Sequence, residues 1–259
     1  MGIVVAAIGP QGNGKSTTVM NMVLGMDNVL NRIYGGSNIL PSILLYDATP
    51  EGTISEFCDQ SRAADIRKLK MGGYTAQYTS LAINPKARST EISAMRSYDL
   101  VVVDTSSAEP DQVNDILTAA DGVILVISPY DDEFVWHDYL IRARKSNPEA
   151  KLDQVVVSGY DPTNKADYRM HVTLEQILGA KGRNIGRWIT DFSYSSDIED
   201  SHKNKIPVYF NGMREQYDKL ARRVLQTTIL SKSPVFATEE PAFPVEDAVR
   251  KIEVHRYYV

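Results

Sequence analysis

Cysteine is almost missing from this 259-residue chain, with Cys58 the only one. A single thiol excludes an intrachain disulfide and any cysteine-clustered metal site. Histidine is scarce as well, and the four present do not fall at metal-ligand spacing. No apolar run approaches the ~20 residues that cross a bilayer. No basic stretch precedes an apolar core at the N-terminus, as a secretory leader requires. An excess of positive charge is also lacking: the net charge is −5. Any nucleic-acid contact must therefore come from a local basic patch. These absences lead us to expect a cytoplasmic protein. What is there, 43% hydrophobic and 24% charged residues, is the ordinary make-up of a globular chain. The length suits one large α/β domain or two small ones.

Apolar runs alternate with helical patterns along most of the chain. The runs predict strands at Ile3–Ile8, Ser42–Tyr46, Leu100–Val103, Val123–Ile127, Val155–Val157 and Ile185–Ile189. Amphipathic stretches predict helices over Lys15–Met26, Gln112–Ala120, Glu133–Lys145 and Met213–Leu230. The runs "VVVD" and "GVILVIS" are continuous rather than alternating, which marks strands covered on both faces and hence a parallel sheet. We expect an α/β fold with a doubly wound, mostly parallel sheet and helices on both faces. Such a sheet binds its ligand at the carboxyl ends of the strands. One domain is expected over residues 1–232, with a proline-containing tail over 233–259 packing on it.

The stretch "GPQGNGKSTT", residues 9–18, lies between the first predicted strand and the first predicted helix, the context a phosphate-binding loop requires. Its glycines let the backbone curl so that successive N–H groups point at phosphate oxygens. Gly9, Gln11, Gly12, Asn13, Gly14, Lys15, Ser16 and Thr17 are the candidate nucleotide contacts. Lys15 would reach the β- and γ-phosphates, and Ser16 would hold Mg2+. The helix that begins there adds its positive N-terminal dipole. In "YDLVVVDTSSAEPD" a buried strand ends in Asp104, which can order the Mg2+ shell directly or through water. In "LLYDATPEG" another strand delivers Asp47, Thr49 and Glu51 to the same edge. "NKAD", from Asn164 to Asp167, matches the guanine-reading motif of GTPases. The residues "SGYDPT" separate it from its strand end at Val157, so guanine specificity is not expected from this match.

Taken together, these stretches resemble the ParA/MinD family of deviant Walker ATPases, most closely its ParA branch, from Ile3 to about Leu225. "LLYDATPEG" is similar to the family's D-x-D-P-Q-G segment and "YDLVVVDTSS" to its Y-D-x-I-I-I-D-T-P-P. "VVVSGYDPTNKADY" is similar to its Y-D-x-R-T-N stretch. "ITDFSYSSDIEDSHKNKIPVYF" is similar to its closing pattern of short strand, polar helix and Gly-x-Pro-Val. The resemblance implies ATP and Mg2+ as cofactors, Lys15, Asp47, Glu51 and Asp104 as the catalytic group, and Asp161 as a nucleotide contact. It implies a homodimer formed on ATP binding, an adaptor protein that stimulates hydrolysis, non-specific DNA binding and a nucleoid-associated location. Two positions depart from the pattern. Pro10 stands where the family has a lysine that reaches the partner's site, and Thr49 where it has an acid that orients the attacking water. Slow basal hydrolysis is therefore expected, with Arg142, Arg144, Lys145 and Lys151 as candidate replacement cations. Lys203, Lys205, Arg214, Lys219, Arg222 and Arg223 are candidate DNA contacts.

Two other functions fit the sequence less well. A MinD-like membrane-associated regulator would use "VEDAVRKIEVHRYYV", where Val245, Ala248, Val249 and Ile252 share a helical face. Glu246, Asp247 and Glu253 dilute its basic side, so docking on the core is expected instead of membrane binding. A P-loop enzyme acting on a small substrate would need an acid, a base or a substrate clamp beyond the nucleotide site. No such group stands out in the sequence.

Overall fold

In the computed structural model the described residues are 1–35, 40–50, 52–58, 66–106, 108–178, 189–193, 195–232 and 243–244. The strands are β1 (Ile3–Ile8), β2 (Ile43–Asp47), β3 (Ile66–Met71), β4 (Tyr74–Ile83), β5 (Leu100–Asp104), β6 (Gly122–Ile127), β7 (Lys151–Ser158), β8 (Ile189–Phe192) and β9 (Phe243–Pro244). The helices are α1 (Lys15–Tyr34), α2 (Ser89–Ala94), α3 (Pro110–Ala119), α4 (Glu133–Ser146), α5 (Lys165–Leu178), α6 (Ser196–Asn204) and α7 (Arg214–Thr227). All the strands join one sheet in the order β3-β4-β2-β5-β1-β6-β7-β8, with β9 pairing β7. Every pairing is parallel except β3 with β4 and β7 with β9. The doubly wound α/β expectation holds.

Period-two alternation divides the core into two layers. Val4, Ala6 and Ile8 of β1 join Val101, Val103, Leu117 and Leu140 on the face covered by α2 to α5. Val5 and Ala7 join Val23, Val102, Leu220 and Val224 on the face covered by α1 and α7. Because both faces are covered, the strands read as unbroken apolar runs.

Three elements differ from the sequence expectation. Helix α1 runs past Met26 to Tyr34: Asp27 is buried and accepts hydrogen bonds from the Tyr74 hydroxyl and from the Gln77 and Tyr78 amides. Strand β7 begins at Lys151 rather than Val155 because it takes the polar residues Asp153 and Gln154 into the interior. The β3–β4 hairpin was not expected: Arg67, Lys68 and Lys70 give β3 a polar look, which suits an edge strand that must not pair further. The expected strand over Ile185–Ile189 meets β8 at Ile189, and residues 185–188 lie outside the described set. In the tail, Phe243–Pro244 pairs with Lys151 and Leu152, on the part of β7 that β8 does not use. The helical face expected of Val245, Ala248, Val249 and Ile252 falls outside the described residues. Among the described residues no helix is long and apolar enough to cross a membrane.

Candidate nucleotide site

Strand β1 has β5 on one side and β6 on the other, so the chain winds away from it in both directions. Its carboxyl end is the switch point where doubly wound sheets hold their ligands, and the 9–14 loop leaves from there. Gly9 has φ 139°, and a Cβ on it would lie 2.0 Å from the Val126 carbonyl oxygen. Only glycine allows the loop to cross β6 that closely. Gly14, at φ 77°, turns the chain into α1 through the left-handed region. The Asn13 side-chain amide donates to Asp131 Oδ2, which also accepts the Ser128 N–H at 2.7 Å. Asn13 thus fastens the loop to the segment after β6. Gln11 is exposed at the loop's crest.

Lys15 is almost fully buried, and its Nζ donates to the Gly9 and Pro10 carbonyls at 2.9 and 2.6 Å. Burial pulls its pKa down, opposed by the charges of Asp104 and Asp131. Asp47 and Asp104 are direct neighbours in the β2–β5 register, and neither has any solvent exposure. In each, Oδ1 is satisfied within its own turn. Asp104 accepts from the Ser106 amide and hydroxyl, and Asp47 from the Thr49 amide and hydroxyl. The Oδ2 atoms of both are buried without a hydrogen-bond partner. Burial raises the pKa of Asp104, opposed by the hydroxyls of Ser16 and Ser106. Burial also raises that of Asp47, to about 6, with Thr49 opposing and the Asp104 charge adding.

A buried carboxylate oxygen with no partner is costly unless a cation meets it. The Ser16 hydroxyl beside Asp104 and the orphaned Asp104 Oδ2 are hard oxygen donors of the kind Mg2+ takes. Among the described residues no group of three or more His, Cys, Asp or Glu could hold a metal ion by itself. An ion here would complete its shell with phosphate oxygens and water, the usual habit of Mg2+. The residues present fit Mg2+ carried by a nucleotide.

Gly9, Gly12, Gly14, Lys15, Ser16, Asp47 and Asp104 come together at this edge. Gln11 and Asn13 belong to the same loop, whereas Asp161, Thr17 and Thr49 are engaged elsewhere. Asp161 is exposed after β7, and its carboxylate is taken by the Thr163 amide and hydroxyl at 2.8 and 2.7 Å. The Thr17 hydroxyl meets His202 Nε2 of α6 at 3.2 Å. Thr49 is fully buried, donating to Asp47 at 2.6 Å and accepting the Thr53 amide, so its side chain points into the protein. Glu51 lies outside the described residues. The "NKAD" match has a structural explanation: Asp167 is buried and accepts the Asp161 amide at 2.9 Å. Of the four replacement cations, Arg142 lines a cavity beside the loop. Of the DNA candidates, Lys205 pairs with Glu56, Lys219 with Glu215, Arg214 donates to Asn28, and Arg223 to Ile189 and Thr190. Lys203 and Arg222 are exposed.

Sequence reasoning missed Asp131. A signal was present, since it closely follows the apolar run of β6, much as Asp104 ends the run of β5.

No protein-family model and no curated protein matches this sequence. Solved structures do match. The septum site-determining protein MinD of Pyrococcus horikoshii, complexed with Mg-ADP, superposes with a TM-score of 0.63 at 10% identity, covering 93% of this chain and 100% of that one. The fold is that of the ParA/MinD P-loop ATPases. A putative plasmid partition protein of Borrelia burgdorferi bound to AMPPNP shares it, with TM-score 0.55, 15% identity and coverage of 87% and 98%. So does the cobyrinic acid a,c-diamide synthase of Mycobacterium smegmatis with a bound ATP analogue and magnesium, with TM-score 0.58, 14% identity and coverage of 94% and 99%. One fold thus carries spatial regulators and a small-molecule enzyme, and the fold by itself does not choose between such roles.

Proposed function

We propose that this chain is a Mg2+-dependent ATPase of ParA type. In this reading it pairs with a second copy when ATP binds and moves DNA or a large cargo, with an adaptor protein stimulating hydrolysis. The observation that carries the proposal is the convergence of Lys15, Ser16 and Asp104 on one glycine-turned loop at the switch point, with Asp104 Oδ2 buried and unpartnered. The loop amides and the first turn of α1 receive phosphate oxygens. Lys15 exchanges its two loop carbonyls for phosphate oxygens. Ser16 and Asp104 hold Mg2+, which when bound supplies charge neutralisation at the phosphates. The structures of this fold with bound Mg-ADP, AMPPNP and an ATP analogue with magnesium support this assignment of the ligand. Exposed Lys203 and Arg222 support DNA contacts, and a nucleoid-associated, cytoplasmic location belongs to the same reading.

The test is equilibrium binding of Mg-ATP to the wild type and to Lys15→Ala. We expect binding that is lost in the variant while its melting temperature is kept, and a preference for ATP over GTP. Unchanged binding and turnover in Lys15→Ala would put the nucleotide elsewhere. Co-sedimentation with DNA and with anionic liposomes, each with Mg-ATP, separates the ParA-type role from a MinD-like one.

A further inference from the structure

A cavity of about 240 Å3 opens beside the phosphate loop, with Gly9, Gln11 and Lys15 on one wall and Glu109, Tyr139 and Arg142 on the other. Lys15 borders it from α1 and Arg142 from the middle of α4. The Arg142 guanidinium carbon lies 5.6 Å from the centre of the Tyr139 ring, and this stacking sets its direction of approach. Inside the loop itself Lys15 is the one cation, because the residue after Gly9 is Pro10, whose carbonyl the lysine holds. A transferring phosphoryl group spreads its charge over three oxygens, more than one ammonium can meet. Guanidinium stays charged and matches phosphate oxygens two at a time. Glu109, the acid among the residues lining the cavity, is exposed at the start of α3.

We propose that Arg142 is the second phosphate cation of this site, supplied by the same chain, contacting the γ-phosphate across the cavity and stabilising the charge of hydrolysis. In that reaction a water oxygen bonds to the γ-phosphorus and the bond to the bridging oxygen breaks. The electron pair leaves on ADP; one of the water's protons stays on the inorganic phosphate formed and the other is released to solvent. The proposal rests on the ATPase reading above, and the experiment separates the two.

Single-turnover hydrolysis and Mg-ATP affinity are measured for the wild type, Arg142→Ala, Arg142→Lys and Lys15→Ala. Arg142→Ala is expected to keep its Kd within about threefold and to hydrolyse ~10²–10³-fold more slowly. Arg142→Lys should recover part of the rate. Arg142→Gln, which keeps the stem over Tyr139, replaces the alanine variant if that one melts early. Wild-type hydrolysis by Arg142→Ala, with Lys15→Ala inactive, overturns the role of Arg142 and leaves the ATPase reading standing. Loss of affinity in Arg142→Ala with an unchanged rate for bound ATP overturns it too. A wild type that neither binds nor hydrolyses Mg-ATP removes both.

Discussion

Asp27, in the middle of α1, is as buried as Asp47 and Asp104 at the ends of β2 and β5, yet the two regions treat a carboxylate differently. Asp27 has both oxygens occupied: Oδ1 by the Tyr78 amide at 2.6 Å, Oδ2 by the Gln77 amide at 3.0 Å and by the Tyr74 hydroxyl. Its donors come from β4, so it pins a helix to a strand. Asp47 and Asp104 fill Oδ1 from their own turns, leave Oδ2 without a partner, and are neighbours in the β2–β5 register. A satisfied buried charge supports the fold, whereas an unsatisfied pair beside a lysine is an arrangement that a ligand completes.

The largest effect that tests this contrast is on turnover. Asp104→Asn keeps the shape and the Ser106 bonds but removes the charge that faces Mg2+. We expect hydrolysis to fall about 10³-fold, as when a preorganised charge contact is removed. The melting temperature should hold or rise, because a buried unpaired carboxylate has been neutralised. A clear drop in melting temperature with turnover kept would make Asp104 a second Asp27.

The reverse experiment is on stability. In Asp27→Asn the side-chain amide turns a donor toward donors, leaving at least one of the Tyr74, Gln77 and Tyr78 groups unpaired. A buried unmade hydrogen bond of this kind next to a lost charge costs about 3 kcal/mol. Urea denaturation should show that loss, with Mg-ATP affinity unchanged at temperatures where the variant is folded. A variant that loses affinity without losing stability would break the division between the two regions.

The local part of this arrangement was legible in the sequence. Glycine spacing, the lysine-serine pair and apolar runs ending in Asp47 and Asp104 are near-neighbour signals, and they placed the loop and both carboxylates at one sheet edge. What was hidden depends on distant partners. Asn13 finds Asp131 118 residues away, so its role as a loop anchor cannot be read from spacing. Thr49 turns inward because Asp47 needs its hydroxyl, and Asp161 serves its own turn because α5 begins just beyond it. The extension of α1 past Met26 was hidden because the partners of Asp27 lie on β4, whose hairpin mate β3 is rich in lysine and arginine.

Asp153 extends the comparison to a third buried carboxylate and to pH. It is 3% exposed in β7, and burial raises its pKa to about 7, with the Thr227 hydroxyl and Lys151 opposing and Asp121 adding. The unfolded chain releases this proton near pH 4. Between those values the folded state binds more protons than the unfolded one, so stability falls as pH rises through the window. From pH 5.5 to 7.5 the loss from this one group is about 2 kcal/mol, the smallest of the three effects. Asp153→Asn cannot titrate, so its stability relative to the wild type should improve by that amount over the same interval. Urea unfolding at the two pH values measures it without nucleotide, and Asp27→Asn run in parallel is the control for general pH effects on the fold. Equal shifts at both pH values would mean that Asp153 is ionised throughout this interval, with no proton linked to folding there.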